Sequence, residues 1–242
     1  MSEGKDVRER RSKEEREVVS AIIITSPGGP EVLQSQERPR PFAGPGELLV
    51  EVKATGVNRA DILQRKGFYP APLGAVADVP GLEYAGIVLE MGGNTYGFKV
   101  GDRVMGLMPG GTYQDFLVTP ASTAIPIPSS YSYLEAAAIP EAFITAFDAI
   151  FLQAHLVEGE TLLVSAAASG VGLAAGQLAN IFGAKAIGSV RQAGKAERLK
   201  DFFNNVVVVK DQIFAEQIEG LGGADVILEL VGGDYVEEDL KC

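Results

Sequence analysis

A chain of 242 residues with 32 acidic and 21 basic side chains carries a formal charge of −11. That balance excludes a nucleic-acid surface, which needs clustered Lys and Arg to meet phosphates. One cysteine, Cys242, excludes an internal disulfide and suits a reducing cytosol; one histidine, His155, leaves too few ligands for a protein zinc site.

Residues 1–17 mix basic and acidic side chains without the apolar core of a secretory signal, and are expected to form a charged, disordered tail. From Val18 to Tyr131, short apolar runs alternate with Gly and Pro: VVSAIIIT, ELLVEVKATGV, YAGIVLEM, GDRVMGL and YQDFLVTP. Runs of that length between turn signals predict an all-β barrel or sandwich over residues 18–140. The texture changes at SYLE, residues 132–135, an S-x-x-E capping box. Pro140 then opens a second helical stretch, EAFITAFDAIFLQA.

Residues 141–242 form the second expected domain. From Thr161 the strands TLLVSA, KAIGSV, VVVV and DVILELV alternate with the helices GVGLAAGQLANIF, AERLKDFF and QIFAEQIEGL. Continuous apolar strands between amphipathic helices predict a parallel sheet covered on both faces, in a Rossmann-like doubly wound order. Residues 161–184 carry no charge, a length that can cross a bilayer. Ser165, Ser169, Gln177, Asn180 and four glycines inside it suit a strand, a turn and a helix in succession, so no membrane span is expected. DVILELV is a fourth strand where a full dinucleotide sheet has six, so the Rossmann domain reads as incomplete.

The turn SAAASGVG supplies the small residues that let backbone N–H groups approach a pyrophosphate at a helix N-terminus. Ala167 and Ser169 stand where a strict G-x-G-x-x-G has its leading glycines, and the same small residues would equally let a helix pack on a sheet. At the end of the second strand come Arg191 and Lys195, with no carboxylate before Glu197. Positive charge there favours a 2′-phosphate, hence NADPH, and Lys210 adds to it, although each lysine equally suits an ordinary surface cation. His155, just past a helix end, reads as a surface cation.

The motifs VNRADILQRKGFYP, VPGLEYAGIV, KVGDRVMGL, AAAIPEAFITAF, AAASGVG and LELVGGDYVEEDL, in this order, closely resemble the zeta-crystallin-like quinone oxidoreductases. These form a zinc-independent branch of the medium-chain dehydrogenase/reductase superfamily. The resemblance implies an α/β chain: a GroES-like β-barrel catalytic domain, then a Rossmann doubly wound parallel sheet, with cofactor and substrate in the cleft between them. It places Asn58 and Leu82 where zinc members carry Cys and His, so no metal is expected. By similarity, Asn58 and Tyr69 line the reacting side, although Tyr69 equally suits a ring packed on its proline loop.

The resemblance further assigns Thr145 to the nicotinamide amide and Ser169, Gly170, Val171 and Gly172 to the pyrophosphate. Lys195 falls to the 2′-phosphate, and Val231, Gly232 and Gly233 to the nicotinamide ribose. Lys210 stands where relatives often have tyrosine. The implied activity is NADPH-dependent reduction of a quinone by a cytoplasmic homodimer paired through a Rossmann edge strand. A related enone or enoyl reductase and a truncated, catalytically inert chain are the alternatives.

Overall fold

The structure, a computed structural model, describes residues 18–210 and 213–242. The expected charged tail therefore lies outside the described residues. Two compact units divide between Pro140 and Glu141.

In the first unit, β1 (Val18–Ile24) and β2 (Leu33–Pro39) pair antiparallel, Val18 opposite Pro39 and Ile24 opposite Leu33. A second, five-stranded antiparallel sheet contains β3 (Glu47–Thr55), β4 (Glu83–Met91), β5 (Arg103–Leu107), β6 (Phe116–Pro120) and β7 (Ile125–Pro126). Its order is β6-β3-β4-β5-β7. Leu48, Val50, Tyr84, Val88, Val104 and Leu117 fill one side of it. Ala85, Met105 and Ile127 pack on the other, where α2 (Tyr133–Ala136) brings Ala136 and Ala137.

Between β3 and β4 runs α1 (Arg59–Arg65), a two-turn helix that the sequence reading did not separate from its loop. The capping box forms as expected: Ser132 Oγ accepts from the Glu135 N–H, and the Glu135 carboxylate accepts from the Ser132 N–H. β2 was also missed. Its middle residues, Gln34 to Glu37, are all exposed, so no alternation marks it.

The second unit begins at the second residue of α3 (Pro140–Phe147), which continues as a π-helical turn over residues 148–153 rather than as regular helix. Four parallel strands follow: β8 (Thr161–Val164), β9 (Lys185–Val190), β10 (Asn205–Val208) and β11 (Val226–Leu228). Their order, β10-β9-β8-β11, is the reversal expected of a doubly wound sheet. Successive strand residues point to opposite faces. Leu162 and Val164 pack with Ala174, Ala175 and Phe203 on one side; Leu163 packs with Ile187, Val207, Phe214 and Ile218 on the other.

The helices are α4 (Gly170–Ile181), α5 (Ala193–Ala196), α6 (Ala215–Glu219) and α7 (Tyr235–Asp239). AERLKDFF contracts to the end of α5 and a single 3-10 turn, with Leu199 and Phe203 buried and Phe202 packed against the same core. Strand and helix also end earlier than expected at DVILELV and QIFAEQIEGL. Among the described residues β11 has no strand on its outer side, and no helix is long and apolar enough to cross a membrane.

Candidate active site

The fold gathers the candidate residues into two groups, one in each unit. In the second unit, the turn after β8 ends at Ser169, whose Oγ accepts from the Gly172 N–H at 3.1 Å and caps α4. Ser169 also lines a cavity of about 280 Å³, so the capped helix start lies beside it. Ala166, Ala168, Ser169, Ser189, Arg191, Gln192, Lys195, Val231 and Tyr235 are among the side chains that line it.

Ser169, Lys195 and Val231, far apart in sequence, therefore meet at one cavity. Gly170, Val171 and Gly172 form the helix start beside it. Gly232 and Gly233 follow Val231 in left-handed conformations, φ +76° and +65°, that a side chain would strain. Glu229 fixes this turn: one of its carboxylate oxygens accepts from the Val231 and Gly232 N–H groups. Lys210 does not line the cavity; it is exposed and bridges to Ile213. Thr145 is exposed on α3, and His155 sits past the π-helical turn with φ +57°.

Sequence reasoning missed Tyr235 as a lining residue. It lies 44 positions beyond Arg191 and is delivered by α7, with its ring 5.4 Å from Phe214. The Arg191 charge acts on its hydroxyl in opposition to burial, Glu229 and Asp239, and the net effect raises the phenol. No sequence signal marks such a residue.

Behind this turn lie two carboxylates in unlike settings. Asp239 is pushed up to about 7, first by burial and then by the Glu229 carboxylate, and Asp239 Oδ1 and Glu229 Oε2 are both buried without a partner. Glu238 is held down at about 2 by Lys241 and by the Phe214 and Ala215 N–H groups it accepts from. Asp239 binds its proton more tightly folded than unfolded, so stability falls as pH rises from about 4 to about 7. Glu238 acts the other way: its contribution is lost as pH falls through the acid range toward about 2. Asp239→Asn is expected to raise Tm at about pH 8 and to flatten the decline from about pH 5. An unchanged slope in Tm scans at both pH values would contradict this.

In the first unit, Asn58 caps α1. Its main-chain N–H donates to Asp61 Oδ2 at 2.8 Å, and its side-chain Nδ2 donates to Glu83 Oε1 at 2.8 Å. Asp61 Oδ2 also accepts from the Tyr113 hydroxyl at 3.0 Å. Burial first, and then the neighbouring Asp61 charge, drive the Tyr113 phenol far upward, so it stays a donor. Tyr69 is 44% exposed just past α1, on a loop that also exposes Phe68, Leu73 and Val76.

Leu82 is buried beside Glu83. An amide already bonded to Glu83, an aliphatic side chain and that carboxylate do not make a zinc donor set. No cluster of three or more His, Cys, Asp or Glu suited to a metal occurs among the described residues. A nicotinamide dinucleotide fits better. The Ser169-capped helix start adjoins a cavity that two cations, Arg191 and Lys195, line, an arrangement suited to a phosphorylated ligand.

A β-rich unit followed by a doubly wound dinucleotide-type unit defines a medium-chain dehydrogenase/reductase. Residues 44–129 match the alcohol dehydrogenase GroES-like domain family, and residues 170–242 match the zinc-binding dehydrogenase family. The chain is 34% identical to the quinone oxidoreductase-like protein 2 homolog of Nematostella vectensis, covering 94% of this chain and 63% of that protein. A solved quinone oxidoreductase from Pseudomonas syringae pv. Tomato DC3000 superposes with a TM-score of 0.82 at 33% identity, over 92% of this chain and 70% of that one. The solved CurK enoyl reductase gives 0.83 at 28%, over 92% and 70%. The chain belongs to the quinone-oxidoreductase-like branch of the medium-chain dehydrogenase/reductase superfamily. It spans about half the length of several curated relatives, 56% and 53% in two of them.

Proposed function

We propose that the chain is a zinc-independent, NADPH-dependent quinone reductase of the cytoplasm. The observation that carries this reading is the pair of cations, Arg191 and Lys195, on the cavity beside the Ser169-capped helix start, where NAD-preferring sites place a carboxylate. Arg191 and Lys195 hold the 2′-phosphate, while the turn from Ser169 to Gly172 offers backbone N–H groups to the pyrophosphate. Val231, Gly232 and Gly233 border the nicotinamide ribose, and Thr145 meets the nicotinamide amide. Lys210 adds only long-range positive charge. The resemblance further implies a homodimer paired through an edge strand of the Rossmann domain.

Bound NADPH supplies a hydride. The chain's own part is to orient and to stabilise charge. A quinone accepting hydride develops negative charge on oxygen, and the Asn58 amide and Tyr69 hydroxyl donate hydrogen bonds to it.

Likeness to an enoyl reductase favours a second reading, an enone or enoyl thioester reductase using the same residues. Steady-state assays with NADPH separate the two. The quinone reading expects kcat/KM for para-benzoquinone at least about tenfold above that for a crotonyl thioester. The reverse order moves the assignment to enoyl reduction, and no turnover of either leaves an inert chain.

A further inference from the structure

Glu83 is buried, 4% exposed, at the first position of β4, and no step of the proposed reaction uses it. A buried carboxylate is costly unless its oxygens are hydrogen-bonded. The surroundings are arranged around this one. Thr55 Oγ1 donates to the Glu83 main-chain oxygen at 2.7 Å, anchoring the start of the strand. Gly56 leaves the space that the carboxylate fills: a Cβ there would lie 1.9 Å from Glu83 Oε1. Oε1 in turn accepts from Asn58 Nδ2 at 2.8 Å.

The chemistry of that bond fixes a direction. An asparagine side chain has a donor end and an acceptor end of nearly the same shape, and a carboxylate only accepts. Asn58 must therefore turn its NH₂ end toward Glu83. The Asn58 main chain is pinned independently by its bond to Asp61, so the side chain cannot satisfy Glu83 by sliding along α1. One N–H is consumed and the second is left in a set orientation.

We propose that Glu83 is a positioning residue: it selects the amide rotamer of Asn58 and thereby holds its second N–H as the donor for charge developing on the substrate oxygen. This rests on the reductase reading given above and adds a residue to it.

The test compares variants of the full chain by Tm, NADPH affinity, and kcat and KM for para-benzoquinone. Glu83→Gln keeps an acceptor oxygen and is expected to retain kcat within about threefold. Glu83→Leu removes it, and kcat falls about ten- to a hundredfold, while NADPH affinity stays within about twofold. Gly56→Ala, which displaces the carboxylate without removing it, gives a similar kcat loss and covers the case in which Glu83→Leu does not fold.

The deciding variant is the double exchange Asn58→Asp with Glu83→Gln. The introduced glutamine donates to the introduced aspartate, so the bond and Tm return, but no N–H is left for substrate and kcat stays low. Recovery of kcat together with Tm would show that the bond only holds the loop, and would overturn the proposal, as would unchanged kcat in Glu83→Leu. If the unmodified chain binds NADPH yet reduces no quinone, the reductase reading fails first, and the role assigned to Glu83 falls with it.

Discussion

Replacing Arg191 and Lys195 together, as Arg191→Ser with Lys195→Ala, is expected to weaken NADPH binding by about a hundredfold and NADH binding by less than about threefold. Each cation makes a charge-assisted contact worth about 1.5–3 kcal/mol to a well-placed phosphate. Both side chains are exposed and screened by solvent, so the pair is set at about 3 kcal/mol rather than the full sum. The difference between the two nucleotides isolates the 2′-phosphate, because everything else in them is shared. Raising the salt concentration should shrink the preference in the unsubstituted chain and leave the double variant almost unmoved. Equal loss of both nucleotides in fluorescence titrations would mean that these cations support the fold of α5 and not the phosphate.

The second large effect is expected at Gly172. A Cβ there would lie 2.8 Å from the Ala166 carbonyl oxygen and 2.9 Å from the Ala167 Cα and carbonyl oxygen. All three atoms are backbone and cannot swing aside, so Gly172→Ala must lift the first turn of α4 away from the end of β8. Overpacking of this kind costs about 1–3 kcal/mol, a Tm loss of about 3–8 °C, and it displaces the N–H groups offered to the pyrophosphate. NADPH affinity should drop at least about tenfold. Gly170→Ala is the matched control for packing: the nearest atom is the Ala142 Cβ at 3.8 Å, an ordinary contact, and Tm should not change. Tight NADPH binding by Gly172→Ala, or an equal Tm loss in Gly170→Ala, would contradict the assignment of this turn.

How much of this was legible in the sequence depends on how local the signal is. Leu162, Leu163 and Val164 announce a strand buried on both faces with no help from the rest of the chain, and the order β10-β9-β8-β11 follows from the crossover rule. Ser132 and Glu135 likewise mark a helix start by themselves. β2 escaped because its polar residues make a strand only through pairing with β1. α1 was missed although its cap is local, Asn58 with Asp61 three residues on, because only two turns follow it.

The functional residues divide in the same way. Ser169 and Lys195 lie in short motifs with a recognisable spacing. Tyr235 reaches the same cavity only because β11 lies beside β8, an adjacency that no short window contains. Glu83 was hidden differently. In LEYAGIVLEM it reads as the edge of an apolar run, and only its bond to Asn58, 25 residues earlier, gives it a meaning. The Asp239–Glu229 pair is of this second kind, since two carboxylates ten residues apart carry no signal until α7 folds back over the turn.

The central claim is that the cavity beside Ser169 is an NADPH site, and the most direct measurement is a fluorescence titration of the purified 242-residue chain with NADPH and, separately, with NADH. Saturable binding with NADPH preferred by at least about tenfold is the predicted result. A folded chain that binds neither nucleotide, or that prefers NADH, would contradict it.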